Sequence, residues 1–585
     1  MNTYQKFLFL LSSSERKEAA VVLGMILIMA LLDVMGVASI LPFMAVLTNP
    51  NIIETNTILS KAYEILNKFG VKNTQQFLFV MGVFVLILLI SSLIFKAITI
   101  YLQVRFVQMR EYSISKRLVE GYLHQPYSWF LNRNSSDLGK NILSEVGHIT
   151  SAGINPFMEL IAKSIVAISI MMLLIVVNPK IALVVGFFLG GAYGVIFYFI
   201  KTYLKKIGKA RAKNNLLRFN FVNEAFGAIK QIKLSGLEKI FIKRFSISAK
   251  IFSGTSASSI VLRQLPRYIL EAIAFGIIML AILYMIKKTG SFNNALPIIS
   301  LYVFAGYRLL PALQQIYGSF AQLAFIKSSL NNLMDDLKNL KKYNNDQIQD
   351  TLELNKEIVL KDIFYNYPNS SKTTLKKMNL SISAKTTVGI VGTTGSGKTT
   401  TIDIILGLLQ PQKGNLVIDD QIITKQNLRA WQRNIGYVPQ HIYISDNTIQ
   451  ANIAFGVEPE NINQDSVEKV SKIANLHEFV INELKDKYQT IVGERGIRLS
   501  GGQLQRIGIA RALYHNPQVL ILDEATSALD NQTEKVVMDA VNNIGKQITI
   551  ILIAHRLNTV KNCDLIFKLE NGELIGKGTY DQLLK

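Results

Sequence analysis

Gly392-Thr393-Thr394-Gly395-Ser396-Gly397-Lys398-Thr399 fits the phosphate-loop pattern G-x-x-x-x-G-K-[ST]. The apolar run Thr387-Val388-Gly389-Ile390-Val391 before it reads as a strand, and Lys398 to Leu409 after it reads as a helix. Strand, loop and helix in that order are the context in which glycine N–H groups close on phosphates. Lys398 then supplies positive charge to the β- and γ-phosphates, and Thr399 offers a hydroxyl to Mg²⁺. Thr393, Thr394, Ser396 and Thr400 complete the candidate nucleotide-binding loop. Downstream, the apolar strand Val519-Leu520-Ile521-Leu522 ends in Asp523-Glu524. Asp523 is placed to hold Mg²⁺, and Glu524 is the candidate general base for an attacking water. The competing reading is a carboxylate capping a helix that starts near Thr526.

Working outward, the segment 356–585 alternates short β-rich runs with helices, as an α/β nucleotide-binding domain does. Ile358-Val359-Leu360 and Thr549-Ile550-Ile551-Leu552-Ile553 are further strands. The polar stretch 341–355 reads as a linker, and 1–340 as a membrane domain. Of 585 residues, 49% are hydrophobic and only 18% charged, against about 25% charged in soluble domains. Six segments, near 18–47, 77–103, 155–178, 181–200, 267–287 and 296–320, reach the length of about 20 residues that a bilayer crossing needs. The expected fold is therefore a membrane all-α domain of six transmembrane helices followed by an α/β P-loop ATPase.

The net charge is +22. Its basic residues crowd next to apolar segments, as in Lys201, Lys205, Lys206, Lys209, Arg211, Lys213 and Arg218. That is the positive-inside pattern, which puts the basic connections 104–154 and 201–266 in the cytosol with the ATPase. No nucleic-acid motif accompanies the charge, so nucleic acid is not expected as a partner. The single cysteine, Cys563, excludes an internal disulfide framework and a multi-cysteine zinc site. Met1 to Lys17 lacks the pattern of a removable signal peptide. In the first outer loop, Ile58, Leu59, Ala62, Ile65, Leu66 and Phe69 recur at helical spacing. They describe a short amphipathic helix, either on the outer membrane surface or packed on neighbouring membrane helices.

Leu499-Ser500-Gly501-Gly502-Gln503 resembles the signature of the ATP-binding cassette (ABC) proteins, and the resemblance covers the C-terminal domain. It implies further roles. Tyr367 is similar to the aromatic that stacks on adenine, although a core tyrosine at a strand end is the plainer alternative. Gln440 resembles the glutamine that senses Mg²⁺ and faces the membrane domain, against a plain surface glutamine. Gly493-Glu494-Arg495-Gly496 resembles the segment through which exporters contact their coupling helices. Asp530 matches the D-loop, and His555 the histidine that contacts the γ-phosphate. In this family the signature of one cassette closes over the phosphate loop of another. Ser500, Gly501, Gly502 and Gln503 then form a second anion-binding surface at a helix N-terminus. One chain has one of each motif, so the resemblance implies a homodimer with two ATP sites, unless a related half-transporter is the partner.

A membrane domain preceding one cassette resembles the exporter type, in which Gln125-Pro126-Tyr127-Ser128-Trp129-Phe130 and Gly227 to Lys233 flank coupling helices. Charges inside membrane helices are costly and mark function by default. Arg308 lies near the bilayer middle; Lys96 and Arg267 lie nearer the cytosolic ends, where they can also snorkel. Arg267 and Glu271 can pair at i, i+4, and Asp33 sits midway along the first segment. Ala38 to Phe43, Pro266 to Glu271 and Tyr307 to Pro311 resemble the PglK-type flippases of lipid-linked oligosaccharides. That resemblance implies a lipid-linked glycan as cargo in the bacterial inner membrane, with Lys96, Arg267 and Arg308 toward its phosphates. Gln314-Gln315 stands where a further basic residue is expected. An exporter of peptides or drugs is the alternative, and a soluble cassette ATPase is nearly excluded by the spanning segments.

Overall fold

The computed structural model describes residues 3–177, 179–289, 292–340, 351–368, 373–493, 496–524, 534–539, 547–554 and 557–584. The chain forms two compact units, Met1–Gln125 with Asn132–Lys342, and Pro126–Leu131 with Tyr343–Lys585.

The first unit is helical. Helix α1, Ser13–Ala38, starts with a capping box in which Ser12 and Glu15 satisfy each other's backbone N–H. It breaks at Ser39 and resumes as α2, Ile40–Thr48. Pro42 explains the break, because its ring clashes with the carbonyl four residues earlier and it has no N–H to donate. The single first span read from the sequence is thus two helices. The outer segment folds as α3, Thr57–Asn67, capped by Asn56. Leu59, Ala62, Tyr63 and Leu66 pack against Val46, Ile53, Val71 and Phe77, while Ile58, Ile65 and Phe69 remain exposed. The reading of a helix packed on its neighbours therefore holds for one face, and the other face is apolar and exposed.

Helix α4, Thr74–Leu123, is followed in the chain by α5, Tyr127–Phe130, which belongs to the second unit, and then by α6, Asn155–Val177, and α7, Pro179–Gly227, of the first. Helices α8, Glu238–Thr289, and α9, Phe292–Asn339, complete the unit. At 1.5 Å per residue the 50 residues of α4 extend about 75 Å, more than twice the ~30 Å apolar core of a bilayer. Much of the two long basic connections is accordingly continuous helix rather than loop. Among the described residues, four helical stretches are long and apolar enough to span: Ser13–Thr48, Thr74–Leu123, Ser135–Val177 and Ala182–Gly227. The two remaining expected spans fall in α8 and α9, where many side chains lie outside the description. Ala30, Ala167, Ala305 and Ala312 are buried where α1, α6 and α9 meet, and small residues let membrane helices approach closely.

Pro266 lies inside α8 and removes the N–H that would bond the Leu262 carbonyl. The hydroxyl of Tyr317 on α9 donates to that carbonyl at 3.0 Å, so the freed acceptor is satisfied from a neighbouring helix. Tyr317→Phe is expected to cost about 1–3 kcal/mol by orphaning it. Thermal unfolding of the detergent-solubilised protein measures this, and an unchanged melting temperature would remove the bridge as a stabilising contact.

The second unit holds two sheets. One is antiparallel, in the order β2-β1-β4-β5, with β1 at Glu357–Tyr365, β2 at Leu375–Ser383, β4 at Lys413–Ile418 and β5 at Gln421–Ile422. The other runs β10-β9-β3-β8-β7-β6. In it β3 is Thr387–Gly392, β6 Ile435–Val438, β7 Val519–Asp523, β8 Thr549–Ile553, β9 Leu565–Glu570 and β10 Glu573–Gly578. All residues of β7 and β8 are buried, as strands covered on both faces of a parallel sheet must be. Trp431 fills the space between the sheets and donates to the Ile405 carbonyl at 2.7 Å.

Candidate ATP site and membrane charge cluster

The phosphate loop joins β3 to α10, Lys398–Ile405. The helix stops before the Leu409 that the sequence suggested. Gly407, at φ +67°, and Leu408 donate to the carbonyls of Ile404 and Asp403, which is a Schellman stop. Gly397, at φ +99°, precedes the helix, and a Cβ there would lie 2.7 Å from Leu375, so both conformation and space demand glycine. Lys398 Nζ donates to the carbonyls of Gly392 at 2.8 Å and Thr393 at 3.0 Å. Burial holds its pKa below the usual lysine value, against the pull of Glu524 and Asp523. The Ser396 hydroxyl is buried without a partner among the described residues. An orphaned donor inside a loop of strained glycines, before a helix N-terminus, fits a phosphate group.

Thr399 is exposed at the mouth of the loop and Thr400 is buried. Tyr367 shares a hydrogen bond of 3.1 Å with the Thr400 hydroxyl and meets Tyr365 edge-on at 5.2 Å. It is thus partly packed on the core rather than free-standing. Asp523 ends β7, only 6% exposed, and accepts from the Tyr437 hydroxyl at 3.4 Å. Burial, then Asp523, push the Tyr437 pKa up, so the phenol stays protonated and donates. Glu524 follows at φ +51°, an uncommon conformation for a side-chain-bearing residue and of a kind concentrated at functional sites. Gln440 Nε2 donates to Glu524 Oε2 at 2.8 Å, so these two residues from separate motifs meet directly.

Ser500 caps α11, Gly501–Leu513, through a reciprocal box with Gln503. This leaves the N–H groups of Gly501 and Gly502 in the first turn, where a helix offers unpaired donors. Asp530, His555, Glu494 and Arg495 lie outside the described residues.

One residue of this site escaped the sequence reading. Asp403, on α10, is buried, and its pKa is raised to about 6, first by burial and then by Asp523. The unfolded carboxyl ionises near 3.8, so folding is penalised fully above pH 6 and not below pH 3.8. Asp403→Asn is expected to stabilise this unit by up to about 3 kcal/mol at pH 8, with the gain shrinking as pH falls below 6. Melting curves at pH 8 and pH 5 test it, and an equal gain at both contradicts the assignment.

In the helical unit, Asp33 is the hub. Its carboxylate, 3% exposed, accepts from Arg308 Nη1 at 2.8 Å and from the Ser92 hydroxyl at 3.2 Å, and Lys96 Nζ lies at 3.9 Å. Lys96 and Arg308 are thus brought together. Arg267 is not: it pairs with Glu271 at 2.6 Å on an exposed stretch of α8. The sequence reading also missed Lys163 and Glu159 on α6. Lys163 is within electrostatic reach of Lys96, Asp33, Glu159 and Arg308. The signal was their i, i+4 spacing inside a segment read as uniformly apolar.

A phosphate loop, a strand-end Asp-Glu pair and a capped signature helix in one unit, with a helical membrane unit on the same chain, define an ATP-driven membrane transporter. The chain belongs to the ABC transporters. Residues 375–527 match the family model described as ABC transporter, and residues 39–306 match the ABC transporter transmembrane region. The ATP-dependent lipid A-core flippase of Saccharophagus degradans is 30% identical over 485 residues, covering 81% of this chain and 79% of the relative. The leukotoxin export ATP-binding protein LtxB of Aggregatibacter actinomycetemcomitans is 37% identical over 290 residues, 49% of this chain and 40% of its own. A solved structure, a bacterial Atm1-family ABC exporter with ATP bound, superposes with a TM-score of 0.76 at 20% identity, covering 97% of this chain and 96% of its own. The protein is an exporter-type ABC ATPase that couples ATP hydrolysis to transport.

Proposed function

We propose that two copies of the chain flip a lipid-linked oligosaccharide across a bacterial inner membrane, the phosphates of the cargo meeting Lys96, Lys163 and Arg308. The observation that carries this is the charge cluster. Among the described residues, two cations, Lys96 and Arg308, share one carboxylate, Asp33, a surplus of one positive charge per chain. An intramembrane cationic surplus favours an anionic group there. The ATP-dependent lipid A-core flippase relatives support a lipid as the general class of cargo.

At the ATP site, the phosphate loop 392–399 with Thr400 holds the phosphates and Tyr367 the adenine. Ser500, Gly501, Gly502 and Gln503 of the partner copy close over them, with Asp530 at the junction. Thr399, Gln440 and Asp523 would hold Mg²⁺, which supplies charge neutralisation at the phosphates. Glu524 accepts a proton from the attacking water as its oxygen bonds the γ-phosphorus. The bond to the β–γ bridging oxygen breaks, leaving ADP and phosphate, with His555 at the γ-phosphate. Exchange of the Gln440–Glu524 hydrogen bond for these contacts accompanies assembly of the site.

The second reading is export of a polypeptide, supported by the match to the leukotoxin exporter. A cysteine peptidase mode finds no nucleophile in Cys563, whose thiol burial pushes up to about 12. Proteoliposomes separate the readings. Glycolipid should cross only with ATP and intact Glu524, and Arg308→Ala should abolish crossing while ATP turnover continues. Healthy ATP turnover without glycolipid movement would reject the cargo and leave the exporter.

A further inference from the structure

A cavity of about 270 Å³ opens between α6, α8 and α9, lined by Arg263, Gln264, Gln314, Gln315, Ser319 and Gln322. Gln314 to Gln322 lie six to fourteen residues beyond Arg308 on α9, about 9–21 Å toward the cytosol. The Ser319 hydroxyl is buried, 1% exposed, and has no partner among the described residues. An orphaned buried hydroxyl is costly unless a ligand or water completes it.

We propose that this cavity binds a sugar ring of the cargo, the part that follows the phosphates held at the Asp33 cluster; this rests on the flippase reading. Four carboxamides each offer a donor and an acceptor, matching vicinal hydroxyls that do the same. The lone guanidinium, Arg263, is already held by the Gln322 carbonyl, and Gln315 holds the carboxylate of Glu159. One cation so engaged, beside a carboxylate, is a poor site for a bare anion. An apolar group there would strand the amides. The volume falls just below the roughly 300–1,000 Å³ of drug-sized sites, so it suits one ring rather than a whole oligosaccharide.

The test uses full-length protein in nanodiscs. ATPase activation is titrated with undecaprenyl-pyrophosphate-linked disaccharide and, separately, with undecaprenyl pyrophosphate lacking sugar. Ser319→Ala and Gln314→Leu should weaken activation by the glycosylated lipid about three- to tenfold and leave the bare lipid unchanged. Ser319→Ala removes only an unpaired hydroxyl, so loss of folding does not confuse the result. Equal shifts for both lipids, or none, overturn the sugar site. If the intact protein responds identically to both lipids, the cavity proposal falls and the flippase reading stands. If it responds to neither, both fall. Activation by a synthetic peptide that these substitutions weaken would replace the sugar with a peptide.

Discussion

Glu524→Gln is expected to lower ATP turnover by about 10²–10⁴-fold, the usual worth of a positioned general base. The substitution is nearly isosteric, and its carboxamide oxygen can still accept from Gln440, which donates to Glu524 at 2.8 Å. It also inherits the same positive φ, so the backbone strain is unchanged. Shape and nucleotide binding should therefore survive while proton acceptance is lost. Steady-state ATP hydrolysis alongside nucleotide affinity measures both. Turnover within threefold of the unsubstituted protein, at equal affinity, would take Glu524 out of the chemistry and leave it a structural residue at the end of β7.

Asp33→Asn should be strongly destabilising in the helical unit. Asp33 neutralises Arg308 directly and Lys96 at longer range; Asn can still accept from Ser92 and Arg308 through its Oδ1 but carries no charge to neutralise either cation. Removing one partner of a buried ion pair costs about 3–5 kcal/mol, because the other charge is left uncompensated. Arg308 and Lys96 are 18% and 27% exposed, which places the expectation near the lower end. Asp33→Asn combined with Arg308→Gln should recover most of the loss, since the two residues are coupled. A thermal double-mutant cycle reads this directly. Additive losses would mean that the contact contributes nothing beyond the separate residues.

The ATPase half was legible because its chemistry is local. The phosphate loop, the Asp523-Glu524 strand end and the Ser500–Gln503 box each lie within a short window, and the flanking strands fold where the apolar runs place them. What the sequence hid is long-range. Nothing local reveals that Gln440 meets Glu524, or that Tyr367 leans on Thr400. In the membrane half, the charge-rich stretches after the second and fourth spans read as connections. They continue as helix because their polar residues are soluble on a helix that has left the bilayer. The Asp33 hub joins α1, α4 and α9, so its members were visible singly, but their association was not. Lys163 was missed because one lysine barely lowers the mean hydropathy of its span. The Tyr317–Leu262 bridge follows from Pro266 only once α8 and α9 are known to be neighbours.

On the proposed placement, a surplus cation lies within the membrane. It is fixed to the protein and does not travel with the cargo. A cell interior is negative, so each negative charge carried outward gains about 2.3 kcal/mol per 100 mV. On the proposed reading, in which Lys96, Lys163 and Arg308 meet the phosphates of the cargo, export of an anionic glycolipid should quicken as the membrane potential becomes more negative inside.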